Sequence, residues 1–107
     1  MVFEQGDIVI VNFNPTYGHE PQNERPALVV SNADFNQSTS MTIVCPITTT
    51  DNRFYLHEPL PDGYGIKGVV VMEQVRAIDL EARQAKRLGR LDAADLQPIL
   101  VCLRSFY

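Results

Sequence analysis

Apolar positions in this chain fall into short β-branched runs cut by proline, glycine and asparagine, and only the C-terminal end changes to helical spacing. Residues 7–13, Asp-Ile-Val-Ile-Val-Asn-Phe, follow Gly6 and stop at Asn14-Pro15, which predicts a first strand. Residues 26–31 and 41–47 predict a second and third strand, apolar enough to be buried on both faces, with a short helical turn at residues 32–36 between them. Between the first two strands, residues 16–24 hold Gly18, Pro21 and no apolar period, the mark of a long loop. Residues 54–57 read as a weaker strand, followed by the turn-rich Pro59-Leu60-Pro61-Asp62-Gly63-Tyr64-Gly65. Residues 68–74 resume strongly, and residues 75–79 alternate apolar and polar side chains directly after them, so the sheet bends there.

The helical end starts with Asp92 as N-cap, Asp95 three residues on in a weak capping-box position, and Leu91 and Leu96 placed as a hydrophobic staple. Leu96, Ile99, Leu100 and Leu103 then share one face, which packs on the sheet. Pro98 lies inside this pattern; a proline costs about 3 kcal/mol in a regular helix interior, which predicts a kink or a later start. Roughly five or more short strands, with no room for crossover helices, imply a mainly antiparallel sheet curling into a small SH3-like barrel with a C-terminal helix.

A length of 107 residues suits one domain with one core, and 45% apolar with 21% charged residues is ordinary globular composition. No apolar run approaches the roughly 20 residues needed to cross a bilayer, and the first residues lack the basic start and apolar stretch of a signal peptide, so a cytosolic protein is expected. Cys45 and Cys102 lie in apolar surroundings without metal or redox spacing, and read as reduced packing residues. His19 and His57 have no ligand partners at recognised spacing, so no metal or other cofactor is expected. The net charge of −4 argues against a generic nucleic-acid coat protein, yet Arg83, Lys86, Arg87 and Arg90 crowd into residues 83–90. That run suits either a local phosphate-binding strip or a solvated surface turn.

Two strand ends carry candidate chemistry. Arg25 precedes Pro26, whose ring excludes helical backbone for its predecessor, so the arginine is held in extended chain at the mouth of a strand, either as an anion binder or as a solvated charge. Pro46-Ile47-Thr48-Thr49-Thr50 closes the next apolar run with hydroxyls.

The order of these motifs resembles the MazF/PemK family of toxins, the stable halves of bacterial toxin–antitoxin pairs, almost from end to end. The resemblance rests on Gly6-Asp7-Ile8-Val9, Pro15 with Gly18-His19-Glu20, Arg25-Pro26-Ala27-Leu28-Val29, Phe35-Asn36, Pro46-Ile47-Thr48, Gly68-Val69-Val70, and Glu73-Gln74-Val75-Arg76-Ala77-Ile78-Asp79. It implies a homodimer and a metal-independent endoribonuclease that cuts single-stranded RNA through attack of the ribose 2′-hydroxyl on its own phosphate. The products are a 2′,3′-cyclic phosphate and a 5′-hydroxyl, and the reaction needs a proton acceptor, a proton donor and stabilisation of a doubly charged phosphate.

By the same resemblance, Arg25 and Thr48 are the catalytic pair. A guanidinium pairs bidentately with phosphate oxygens and a hydroxyl adds one hydrogen bond. Charge stabilisation suits Arg25 better than proton donation, because guanidinium stays protonated. His19, Glu20 and Glu73 are the candidates for base or shuttle, a histidine having an ordinary pKa near 6.5. Each also has a plainer reading: His19 as a merely exposed loop histidine, Glu20 as a salt-bridge partner holding Arg25. Where one branch of the family has an arginine two residues before the acidic position, this chain has Val71, which shifts weight from Glu73 toward Arg25 and Thr48. Asn36, Thr49, Arg53, Gln74 and Arg76 are the expected RNA contacts, and Pro21, where many relatives carry glutamine, alters the loop and so the word that is read.

The expected partner besides RNA is an antitoxin whose disordered, acidic C-terminal tail folds onto the toxin near Arg25, residues 16–24 and the loop after Thr48, excluding RNA. Two rivals remain at this stage. Gyrase-poisoning toxins of the same fold use a tryptophan-containing end, whereas this chain has no tryptophan and closes on Ser105-Phe106-Tyr107. A non-catalytic SH3-like adaptor would bind RNA or peptide without cutting.

Overall fold

The computed structural model describes residues 2–13, 24–50 and 53–107. Strand β1 (Asp7–Asn12) runs antiparallel to β2 (Glu24–Val29), with Val9 opposite Ala27 and Val11 opposite Arg25. Strand β3 (Thr42–Thr48) continues the sheet beyond β2, with Ala27 opposite Pro46 and Val29 opposite Val44. Along its other edge β3 changes partner. Thr42, Ile43 and Val44 face β6 (Arg76–Ile78), whereas Ile47 and Thr48 face β5 (Val69–Val71), and β4 (His57–Pro59) flanks β5.

The expected strand over residues 68–74 is therefore shorter than its composition suggests. Met72–Gln74 form a single 3-10 turn that carries the chain from β5 to β6, which is where the bend falls. With β7 (Lys86–Arg90) at one end, the sheet runs β4-β5-β3-β2-β1-β7, with β6 beside β3. It curls as expected for a small barrel but does not close, since β4 and β7 at its two ends are not paired with each other among the described residues.

Both faces of the sheet are covered, as the run of apolar residues in β2 and β3 predicts. One face carries Ile8, Leu28, Cys45, Ile47 and Val70 against Leu96, Ile99, Leu100 and Leu103 of helix α2 (Ala93–Arg104). The opposite face carries Phe3, Val9, Val11, Val29, Val44, Ile78 and Leu80. Helix α2 starts where the apolar spacing places it, and Leu91 and Leu96 join the same core cluster. The Asp92 side chain makes no cap bond. Instead the Asp92 N–H donates to the Tyr64 hydroxyl (2.9 Å), which donates to Asp95 Oδ2 (2.7 Å), so a turn residue caps the helix. Pro98 neither delays nor interrupts the helix; its ring is exposed while the flanking apolar face is buried.

Two sequence readings change. Residues 83–90 are not a solvated turn throughout, because Lys86–Arg90 form β7 on the open edge of β1, with a bulge between Ile8 and Val9. Their charges are largely committed within the fold: Asp7 Oδ1, on a residue only 2% exposed, accepts from Arg87 Nε (3.0 Å) and Arg90 Nε (2.7 Å), and Arg83 donates to the Asn12 carbonyl (3.1 Å). The turn at residues 32–36 is part of helix α1 (Ala33–Thr39), capped by Asn32 Oδ1, which accepts from Phe35 N–H (2.8 Å). Among the described residues no helix is long and apolar enough to cross a membrane.

Candidate nucleic-acid interface

The β2–β3 register builds the site. The β2–β3 ladder ends where Ala27 lies opposite Pro46, and two residues beyond that pair on each strand stand Arg25 and Thr48, which line one groove. Pro26 directly follows Arg25 and Pro46 lies two residues before Thr48, and the fixed φ of each proline holds the chain extended there. Arg25 is exposed, and its Nη1 donates to the Glu24 carbonyl (2.8 Å). Thr48 is half-buried; its Oγ1 accepts from Thr50 N–H (3.3 Å), which leaves the hydroxyl proton for an acceptor.

These two residues line a groove of about 840 Å³ together with Thr49, Gln74, Arg76 and Lys67. The 3-10 turn after β5 delivers Gln74 to it, and β6 delivers Arg76, whose guanidinium lies 4.8 Å from the centre of the Phe13 ring. Phe13, Pro26, Pro46 and Val75 supply apolar wall. Gly68 brings β5 close to the site: a Cβ there would lie 2.7 Å from the Thr48 carbonyl oxygen, and its φ is +150°. An open groove with three cations, hydroxyls, an amide and flat apolar surfaces suits a single strand of nucleic acid, whose phosphates need charge and whose bases need something to stack on.

The expected site residues divide. Arg25, Thr48, Thr49, Gln74 and Arg76 share the groove. Glu73 stands beside Gln74 on the same turn, exposed, with Oε2 at 2.9 Å from His57 Nε2. Arg53 is exposed with φ +60° and is not part of the groove wall. Asn36 is elsewhere and buried: its Nδ2 donates to the carbonyls of Phe3 (2.8 Å) and Ser31 (3.3 Å), and its Oδ1 accepts from the Ser31 hydroxyl. With its donors and acceptor engaged inside the fold, Asn36 ties α1 to the chain beside it instead of reaching a ligand. His19 and Glu20 lie outside the described residues.

Sequence reasoning missed Phe13, Lys67 and His57. Phe13 and Lys67 had weak signals, an apolar residue closing a strand and a cation just before a glycine. His57 had none, since its contact with Glu73 spans sixteen positions. Val71 is buried in β5 opposite His57, so no arginine stands beside Glu73 at that position. Cys45 is fully buried; burial first, and the Glu73 carboxylate second, push its thiol from 9.0 up to about 12, which suits packing and not nucleophilic attack. Among the described residues no three His, Cys, Asp or Glu side chains gather as a metal site.

The model of the family described as PemK-like, MazF-like toxin of type II toxin–antitoxin system matches residues 4–107. The chain is 51% identical to the endoribonuclease toxin ChpB of Escherichia coli K12, over 81% of this chain and 78% of that protein. It is 41% identical to the Escherichia coli endoribonuclease PemK, over 91% and 76%. Among solved structures, MazF of Deinococcus radiodurans superposes with a TM-score of 0.85 at 34% identity, covering 99% of this chain and 96% of that one. A MazE–MazF complex from the same organism gives 0.84 at 30% identity, over 99% and 95%. With the family model spanning nearly the whole chain and relatives this similar over most of their length, the protein belongs to the PemK/MazF-like toxins of type II toxin–antitoxin systems.

Proposed function

We propose that this protein is a sequence-specific, metal-independent endoribonuclease that cuts single-stranded RNA by attack of a ribose 2′-hydroxyl on the adjacent phosphate, leaving 2′,3′-cyclic phosphate and 5′-hydroxyl ends. The observation that carries the reading is the convergence of Arg25 and Thr48, from neighbouring strands, on one groove. In this reading the Arg25 guanidinium takes two phosphate oxygens and the Thr48 hydroxyl a third, where charge builds in the transition state. Glu73 takes the 2′-hydroxyl proton, while His19 and Glu20, shortly before β2 in sequence, supply the donor and hold Arg25. Gln74, Thr49, Arg76 and Lys67 hold the flanking nucleotides, and Arg53 meets the strand farther along. The names of its relatives, endoribonucleases all, point the same way.

The protein acts in the cytoplasm as a homodimer, and an antitoxin with a disordered, acidic tail inhibits it by lying in the RNA path; solved MazE–MazF complexes of relatives support an antitoxin partner. The test is incubation of a long unstructured RNA with purified protein in EDTA, with wild type compared against Arg25→Ala and Thr48→Ala. Discrete cuts with 5′-hydroxyl ends from wild type, none from Arg25→Ala, and retained RNA binding without cutting by Thr48→Ala are expected. A folded wild type that binds RNA and leaves it intact overturns the reading in favour of an adaptor.

A further inference from the structure

His57 is buried where polar atoms are hard to satisfy. Its side chain is 8% exposed, its ring meets the edge of Phe54 at 5.4 Å, and Val71 stands opposite it on β5. Nε2 lies 2.9 Å from Glu73 Oε2, while Nδ1 is buried with no hydrogen-bond partner among the described residues. The tautomer that carries its proton on Nε2 satisfies Glu73 and leaves Nδ1 as a lone pair, the less costly group to bury alone.

For stability alone this is a poor use of the position. An apolar ring of similar size would fill the space without an orphaned nitrogen, and a glutamate on an exposed turn would be hydrated without help. The arrangement makes sense in what it does to Glu73. That carboxylate stands beside Gln74, on the wall of a groove whose lining includes Lys67 and Arg76, and ion pairing with such cations would draw a flexible side chain out of place. We propose that His57 is a positioning residue: its Nε2–H holds one oxygen of Glu73, restrains the carboxylate from pairing with the cations of the groove, and leaves the other oxygen for the substrate.

This inference rests on the reading of Glu73 as proton acceptor in RNA cleavage. Its test measures single-turnover cleavage at saturating RNA, and the binding of an RNA with a 2′-deoxy sugar at the cut, for His57→Phe, His57→Gln, Glu73→Gln and the double variant His57→Phe/Glu73→Gln. His57→Phe keeps a packed ring, and should slow cleavage about tenfold with binding unchanged within about twofold. His57→Gln, whose amide donates from nearly the same point, should recover most of the rate. The double variant should be no slower than Glu73→Gln alone.

A folded His57→Phe that cuts at the wild-type rate, losses that multiply in the double variant, or glutamine no better than phenylalanine would each overturn the proposal. If His57→Phe does not fold, His57→Leu enters the same comparison. Wild-type cleavage with Glu73→Gln equally fast removes the role of Glu73, and that of His57 with it. If the wild type cuts no RNA, the nuclease reading itself falls. The 15N shifts of the His57 ring then still decide the contact: a protonated Nε2 whose shift moves in Glu73→Gln upholds it, and a ring protonated on Nδ1 alone refutes it.

Discussion

Gly68→Ala tests whether β5 sets the position of Thr48. A Cβ at Gly68 would lie 2.7 Å from the Thr48 carbonyl oxygen, 2.9 Å from Ile47 Cγ2 and 3.2 Å from the Thr48 carbonyl carbon. Two of these three atoms are backbone, so no rotamer change relieves them. A carbon and a carbonyl oxygen settle at about 3.3 Å or more, so the strands must part by roughly 0.6 Å. The overpacking costs about 1–3 kcal/mol, and the φ of +150° adds strain of about 1–3 kcal/mol. Reduced freedom of the unfolded chain returns about 0.4–1 kcal/mol. The net expected loss is about 1–6 kcal/mol, which at about 4 °C per kcal/mol lowers Tm by roughly 4–24 °C. Because a misplacement of about 1 Å costs on the order of a hundredfold in rate, a shift of half that size should slow cleavage about tenfold below both melting temperatures.

Thermal unfolding by circular dichroism and single-turnover cleavage of one RNA measure the two effects. Gly63→Ala is the control, since Gly63 has φ +103° and nothing within 4 Å of its Cβ position; it should show the backbone strain alone and no rate loss. A Gly68→Ala protein with Tm within 2 °C of wild type and full activity would refute the claim that β5 presses on Thr48.

Three further outcomes are expected. Cys45 resists ionisation to about pH 12 when folded but ionises near its ordinary 9.0 when unfolded, so its contribution is intact below pH 9 and is lost between about pH 9 and 12, at about 1.4 kcal/mol per pH unit; denaturant melts at pH 8, 10 and 11 should fall more steeply for wild type than for Cys45→Ala, and parallel slopes would sink the prediction. Tyr64→Phe removes the hydroxyl that accepts from the Asp92 N–H and donates to Asp95, so Tm should drop and amide exchange at Asp92 should accelerate. Asn36→Ala orphans the partners of a buried amide and should cost about 2–3 kcal/mol in a denaturant melt while the RNA cut sites stay the same; altered cut sites at unchanged stability would return Asn36 to the RNA path.

Where the sequence reading succeeded, the governing interactions were local. The β-branched runs of β1 and β3 and the Leu96, Ile99, Leu100, Leu103 spacing need no knowledge of partners to be seen. The strand pattern placed Arg25 and Thr48 each at a strand end, but only the family resemblance implied that the two belong together; the neighbouring positions of β2 and β3 put both on one groove. Strand β7 was missed because Lys86, Arg87 and Arg90 look like solvent-facing charge, and the carboxylate that takes up the two arginines, Asp7, lies 80 and 83 positions away. Tyr64 as a helix cap and His57 as partner of Glu73 were hidden for the same reason: a side-chain hydrogen bond across distant segments leaves no periodic trace. Asn36 misled because an asparagine near a helix start has the same letter whether it faces a base or a buried carbonyl.

The commitment of the β7 arginines to Asp7 governs how this molecule finds its substrate. Of nine lysines and arginines, only Arg25, Lys67 and Arg76 line the groove, within a chain of net charge −4. With Arg53 farther along the strand, four phosphate contacts on a single strand release few counterions, so log K should fall with log salt at a slope of only about −3. Such a surface should draw RNA only weakly from a distance, so that a strand is held mainly where its bases stack on and hydrogen-bond to the groove. Acidity outside the groove thus acts as a filter, rejecting polyanions in general and retaining the few that fit.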